Sequence, residues 1–200
     1  MAIEFKKTTI SGHFPEIWRG ECKILPGGFK PVQTFPLGTV LRRGMLLEVD
    51  FEKMSAAVIK LAKVLAGGTI TAFRVAKGHL FAVGDVVTKL NDGKATPTIK
   101  AIDTSNPDYD VITLSAAYTG LAADDVVVES EKVSSGDASA KYTPNMIVGA
   151  EKEFNGKGIP AIDAAFEAVV LYPSLSYDVP AQWLNGCCLK SNPNILFIKQ

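Results

Sequence analysis

The sequence predicts an α+β, mainly β protein: a small β-barrel with one packed amphipathic helix, plus a small C-terminal α+β part. Three observations carry this prediction. Short runs of β-branched and aromatic residues, broken by turn signals, fill residues 69–129. One stretch, residues 50–66, instead repeats its apolar residues at helical spacing. A Ser/Gly/Asp-rich linker at residues 134–140 then separates this body from the last third of the chain.

Residues 1–44 read as an extended N-terminal arm. Pro15, Pro26-Gly27-Gly28, Pro31, Pro36 and Gly38 deny it a regular period, while Phe14, Ile17, Trp18, Phe29 and Phe35 are scattered between them. Such aromatics must be covered, either by the body of the same chain or by a neighbour, so these five are the candidate interface residues.

Residues 45–133 form the helix-plus-barrel unit. Asp50 suits a helix N-cap and Glu52 the first turn. Phe51, Met54, Val58, Leu61 and Leu65 would make one apolar face, and Gly67-Gly68 a stop. Strands are expected at 70–75, 83–90, 98–102, 111–114 and 126–129. Their turn signals are Lys77-Gly78, Asn91-Asp92-Gly93, Ser105-Asn106-Pro107-Asp108 and Ala123-Asp124. Beyond the linker, residues 141–200 are the C-terminal part. Phe166, Ala168, Val170 and Tyr172 alternate as in a strand, Pro180 opens a short helix to about Leu189, and Ile195 to Ile198 closes the fold as a strand.

Lys+Arg and Asp+Glu both number 21, so the chain is neutral and lacks the positive excess that phosphate-backbone binding needs. No apolar run is long enough to span a bilayer as a helix, and the first residues lack the apolar core of a signal peptide. No nucleic acid and no membrane are expected as partners. Three cysteines, Cys22, Cys187 and Cys188, suit free thiols better than a disulfide framework or a metal site.

Residues able to carry chemistry are few. His13 and His79 are the only histidines, with no Gly-x-Ser-x-Gly or zinc-type spacing beside them. Asn106, Asp108 and Asp110 start like a calcium loop, but Val111 stands where glycine is required and Ala117 where the bidentate glutamate belongs. Turn chemistry explains them. Trp18 and Trp183 could offer a sugar platform, although indoles more often fill a core or an interface. No catalytic, cofactor or metal residue is assigned, and the chain reads as a non-enzyme with no cofactor.

In order, the chain carries Leu37-Gly38-Thr39-Val40-Leu41 with Gly44, then Lys77-Gly78-His79-Leu80-Phe81-Ala82-Val83-Gly84-Asp85. Ile102-Asp103, Tyr109-Asp110-Val111-Ile112-Thr113-Leu114 and the tail Asn194-Ile195-Leu196-Phe197-Ile198 come after. In this combination it resembles the head fiber and head-decoration proteins of phages and prophages of Bacteroidales bacteria, from about Pro36 onward. The resemblance implies a non-enzymatic virion structural protein, made in the bacterial cytoplasm and attached to the capsid. It implies a homotrimer whose partner is the major capsid protein or another virion protein. The chain lacks a long fibrous repeat, so a compact knob or a capsid-proximal base fits better than a fibre. The other reading open at this point is a glycan- or cell-surface-binding module of the adhesin type. A small hydrolase would further require one of the histidines to meet a nucleophile.

Overall fold

The computed structural model describes residues 16–25, 28–90, 96–131, 138–156, 161–175 and 179–199. Strands hold 45% of the chain and helix 4%, which makes the fold mainly β, with a sheet curled into a half-barrel. In chain order the strands are β1 (Lys23–Ile24), β2 (Lys30–Pro31), β3 (Val40–Leu41), β4 (Leu46–Asp50), β5 (Ser55–Val58) and β6 (Leu61–Leu65). Next come β7 (Ala72–Ala76), β8 (Val87–Lys89), β9 (Ile99–Asp103), β10 (Tyr109–Leu114) and β11 (Val126–Glu129). The last are β12 (Met146–Val148), β13 (Lys152–Glu153), β14 (Ala164–Leu171), β15 (Leu184–Asn185), β16 (Cys188–Leu189) and β17 (Asn192–Ile198).

Two large sheets result. One has the order β15-β16-β17-β14-β12-β4-β5-β2, with β1 added on β14; the other runs β8-β11-β6-β7-β10-β9. The second sheet curls until its ends meet. Residues 84–87, leading into β8, bond to residues 97–99 through the Val86–Thr98 bridge and the Ile99 N–H to the Asp85 carbonyl at 2.8 Å. Asn91-Asp92-Gly93, the expected hairpin turn between them, lies outside the described residues.

Side chains sort into three cores by strand alternation. In β12, Met146 and Val148 enter one core with Phe29, Leu47 and Val58, while Ile147 enters a second with Trp183 and Phe197. In β11, Val128 joins that second core and Val127 a third, with Phe73 and Ile112. The order is therefore core, sheet, core, sheet, core. Strands in such a stack are apolar on both faces.

That layering corrects the helix expected at 50–66, since no packed amphipathic helix occurs among the described residues. The Asp50 carboxylate does cap backbone, accepting from the N–H groups of Glu52 and Lys53 at 3.0 Å each, but it closes a hairpin turn between β4 and β5. Met54 completes the turn at φ 49°. From there Ala56 and Val58 serve the first core, Ile59 and Leu61 the second, and Ala62 and Val64 the third. The helical spacing was one reading of a strand run that is apolar almost throughout. The short helix expected from Pro180 to Leu189 is also replaced. A single 3-10 turn at Ala181–Trp183 leads into the β15–β16 hairpin, whose Gly186-Cys187 turn has Gly186 at φ 63°.

Strand pairing runs across the expected boundaries of the arm, the barrel unit and the C-terminal part. Residues 17–25 and 28–29 pair antiparallel along 162–171, through Leu171 N–H to the Ile17 carbonyl, β1 on β14, and reciprocal Phe29–Ile162 bonds. β2 then lies parallel on β5, and β3 pairs with β13.

Candidate functional site

The most charged interior lies where the chain passes from β5 to β6, at the junction of the two sheets. Lys60 interrupts the apolar run there, and its ammonium is buried. It bonds both carboxylate oxygens of Asp85, at 2.8 and 3.0 Å, and stands 3.7 Å from Glu129. Glu129, at the end of β11, takes a second cation, Lys141, at 2.9 Å, which raises the Lys141 pKa above the ordinary lysine value. The other Glu129 oxygen, Oε2, is buried without a hydrogen bond.

Gly84-Asp85 exists in this form to deliver the carboxylate. Gly84 at φ 97° turns the chain, Ala82 N–H bonds Asp85 Oδ2 at 2.8 Å, and the side chain is aimed inward at Lys60. At the other end of the same segment, Gly78 at φ 87° follows β7 and sets His79 over β10. There His79 Nε2 lies 3.2 Å from Asp110 Oδ2, and both side chains are almost fully enclosed. The pair is close but poorly aligned, so Nε2 has an ionic neighbour rather than a well-formed hydrogen bond. Lys77 holds the other Asp110 oxygen at 2.5 Å and the Thr104 carbonyl at 2.9 Å.

His79 Nδ1 accepts the Phe81 N–H at 3.2 Å, which assigns the proton of the neutral ring to Nε2. Burial foremost lowers its pKa below the ordinary imidazole value; Asp110 opposes that shift and Lys77 adds to it. A general base needs a free imidazole lone pair facing a nucleophile. Here the lone pair is spent on a backbone amide. His79 therefore meets a carboxylate but offers no acceptor to a Ser or Cys, and His13 lies outside the described residues.

Above this layer is a cleft of about 530 Å³. Phe35, Thr39 and Arg42 of the arm line one side, and His79, Phe81 and Asp110 the other.

The five candidate interface residues have separate fates. Phe14 lies outside the described residues. Phe29 is 2% exposed, locked in the first core with its ring edge-on to Phe51 at 6.0 Å. Ile17 and Trp18 pack partly buried on the second core, and Phe35 stacks on Phe154 at 5.0 Å. The described ones thus cover, and are covered by, their own chain. Trp183 is also core, at 8% exposure, so neither indole stands out as a sugar platform.

The acidic turn behaves as turn chemistry predicts. Asn106 Oδ1 accepts from Asp108 N–H and Asp103 Oδ1 from Ser105 N–H, both at 2.9 Å. The Ser105 bonds lower the Asp103 pKa. No cluster of three potential metal-ligating residues occurs among the described residues. All three cysteines are free, with Cys187 exposed and the other two half-buried.

Sequence reasoning passed over Lys60, Asp110 and Glu129 as members of one site. The available signal was a lysine, Lys60, between Ile59 and Leu61 in an otherwise apolar stretch from Ala56 to Ala62, and a glutamate after three valines. Such charges are costly to bury unless paired. No family model, curated protein or solved structure matches this chain.

Proposed function

We propose that this chain is a non-enzymatic structural protein of a phage or prophage virion, a compact capsid decoration that assembles as a homotrimer. One observation supports an assembly role above the others. At the β2 edge of the first sheet, Val32, Phe51 and Met54 are about half exposed, at 55%, 53% and 49%. The Lys30 N–H to Met54 carbonyl bond and the Val32 N–H to Ala56 carbonyl bond hold these residues together beside an edge strand. Large apolar side chains clustered on an edge mark a surface that another protein covers. The motif resemblance supplies the kind of assembly, and a rigid body with three stacked cores suits a part that sits on a shell.

Sedimentation or light scattering of the purified chain at tens of micromolar tests the reading. A trimer is expected, with Phe51→Ser/Met54→Lys shifting it to monomer while the thermal transition moves little. A monomeric wild-type chain that also fails to bind purified capsids would overturn the proposal.

A further inference from the structure

We propose that the segment from Lys77 to Asp85 is an acid-released latch, which seats the half-barrel against the arm at neutral pH and lets go when His79 takes up a proton. The two ring nitrogens face different partners, and Nδ1 is the one that matters. It accepts the Phe81 N–H at 3.2 Å. Protonation there converts the acceptor into a second donor, and two N–H groups then point at one another. That contact has to break. Phe81 anchors the segment in the third core, and four residues later Asp85 clamps Lys60 at the junction of the sheets. Movement at His79 is thus carried toward both.

The surroundings decide the direction of the switch. Asp110 from β10 is the carboxylate in contact, and one of its oxygens is already held by Lys77. Lys60, paired with Asp85 and Glu129, and Lys63 of β6, paired with Asp124, line a small cavity of about 60 Å³ together with His79. Arg42 of the arm shares the cleft on the other side. A positive ring in its present position would stay enclosed, with its Nδ1–H facing the Phe81 N–H instead of an acceptor. Turning toward Asp110 or toward solvent relieves it, and both moves abandon Phe81.

Burial, the largest influence on the ring, favours the neutral form and lowers its pKa. The released segment therefore binds the proton more readily than the seated one. Seating is complete above about pH 6.5, the ordinary imidazole value, and is lost as pH falls through the lower value of the seated ring.

Hydrogen exchange on the full chain at pH 7.5 and 5.0, corrected for intrinsic rates, is the test. Protection of residues 79–85 should fall at least tenfold at pH 5.0 and recover on return, while β14 stays protected. His79→Asn keeps a side-chain acceptor for the amide two residues on and removes the titration, so its protection should match at both values. Unchanged wild-type protection, or an equal loss in the Asn variant, would overturn the latch. If that variant does not fold, the ring resonances of the wild type decide. The sequence has two histidines, so His13→Gln identifies His79 by difference. A midpoint below the ordinary imidazole value supports the latch, and one at or above it refutes it.

Discussion

Replacing Lys60 by Met tests whether the charge at the sheet junction holds the two sheets together. Methionine matches the lysine stem and removes only the ammonium. The consequence falls on Asp85, which is 15% exposed at its side chain and, among the described residues, keeps the Ala82 N–H as its carboxylate's hydrogen-bond donor. Glu129 retains Lys141 at 2.9 Å and suffers less. Breaking a buried pair costs about 3–5 kcal/mol, and the partial exposure of Asp85 argues for the lower end, about 3 kcal/mol. For a chain of this size each kcal/mol lowers the melting temperature by about 2–4 °C, so a fall of about 6–12 °C is expected. Urea titration followed by tryptophan fluorescence measures the free-energy loss, and thermal unfolding the shift, because Trp183 sits in the core that the two sheets share. The double variant Lys60→Met/Asp85→Asn removes both charges while Asn keeps the Ala82 bond. It should regain about 2 kcal/mol relative to the sum of its single changes. A single variant within about 1 kcal/mol of wild type, or strict additivity in the cycle, would refute the reasoning.

Three other outcomes are expected from the packing. Phe29→Ala empties a site in the first core and should cost about 3–5 kcal/mol by the same titration; a loss under about 1 kcal/mol would mean that the arm is not built into the core. Gly149→Ala places a methyl 2.6 Å from Ile24 Cγ1 and 3.3 Å from Ala165 Cβ, so it should destabilise by about 1–3 kcal/mol, and a neutral result would contradict the close approach of arm and β14. Thiol titration of the native chain with a disulfide reagent should show one fast group, Cys187, and two slow ones, because burial also raises the Cys22 pKa. Two fast thiols would contradict the burial of Cys22 and Cys188.

Strands buried on one face were legible in the sequence. β10 reads Tyr-Asp-Val-Ile-Thr-Leu, with Ile112 and Leu114 inside and mostly polar or half-exposed residues between them, and its period of two survives. The closing strand was legible for the same reason, and β14 through the alternation of Phe166, Ala168 and Val170, although both its faces are covered. Residues 55–65 were not, because both faces of those strands are covered and few polar residues mark the alternation. Lys60 could be explained only by Asp85 and Glu129, partners on other strands and turns that no local pattern connects to it. The arm was legible as a segment needing cover, since aromatics between prolines cannot pack on themselves. Its destination was hidden, because pairing of Lys23 with Glu167 joins positions 144 residues apart. His79 and Asp110 were hidden in the same way: each looks like an ordinary turn or strand residue until β7 and β10 lie side by side.

The insertion of the half-barrel's sequence between strands of the first sheet has a consequence for how the chain comes to be folded. The half-barrel uses only residues 61–129 for its strands, so all its partners exist once about two thirds of the polypeptide has been made. The first sheet takes strands from both sides of that span, and its β14–β17 pair waits for Ile198. Contacts of such long range form slowly, because the chain must close a large loop before any of them forms. Until then β4 and β5, apolar on both faces, stand as an uncovered hairpin. Synthesis thus leaves an interval in which the half-barrel is complete and its neighbour is sticky, and crowding of nascent copies in that interval would favour exchange of β14 and β17 between chains.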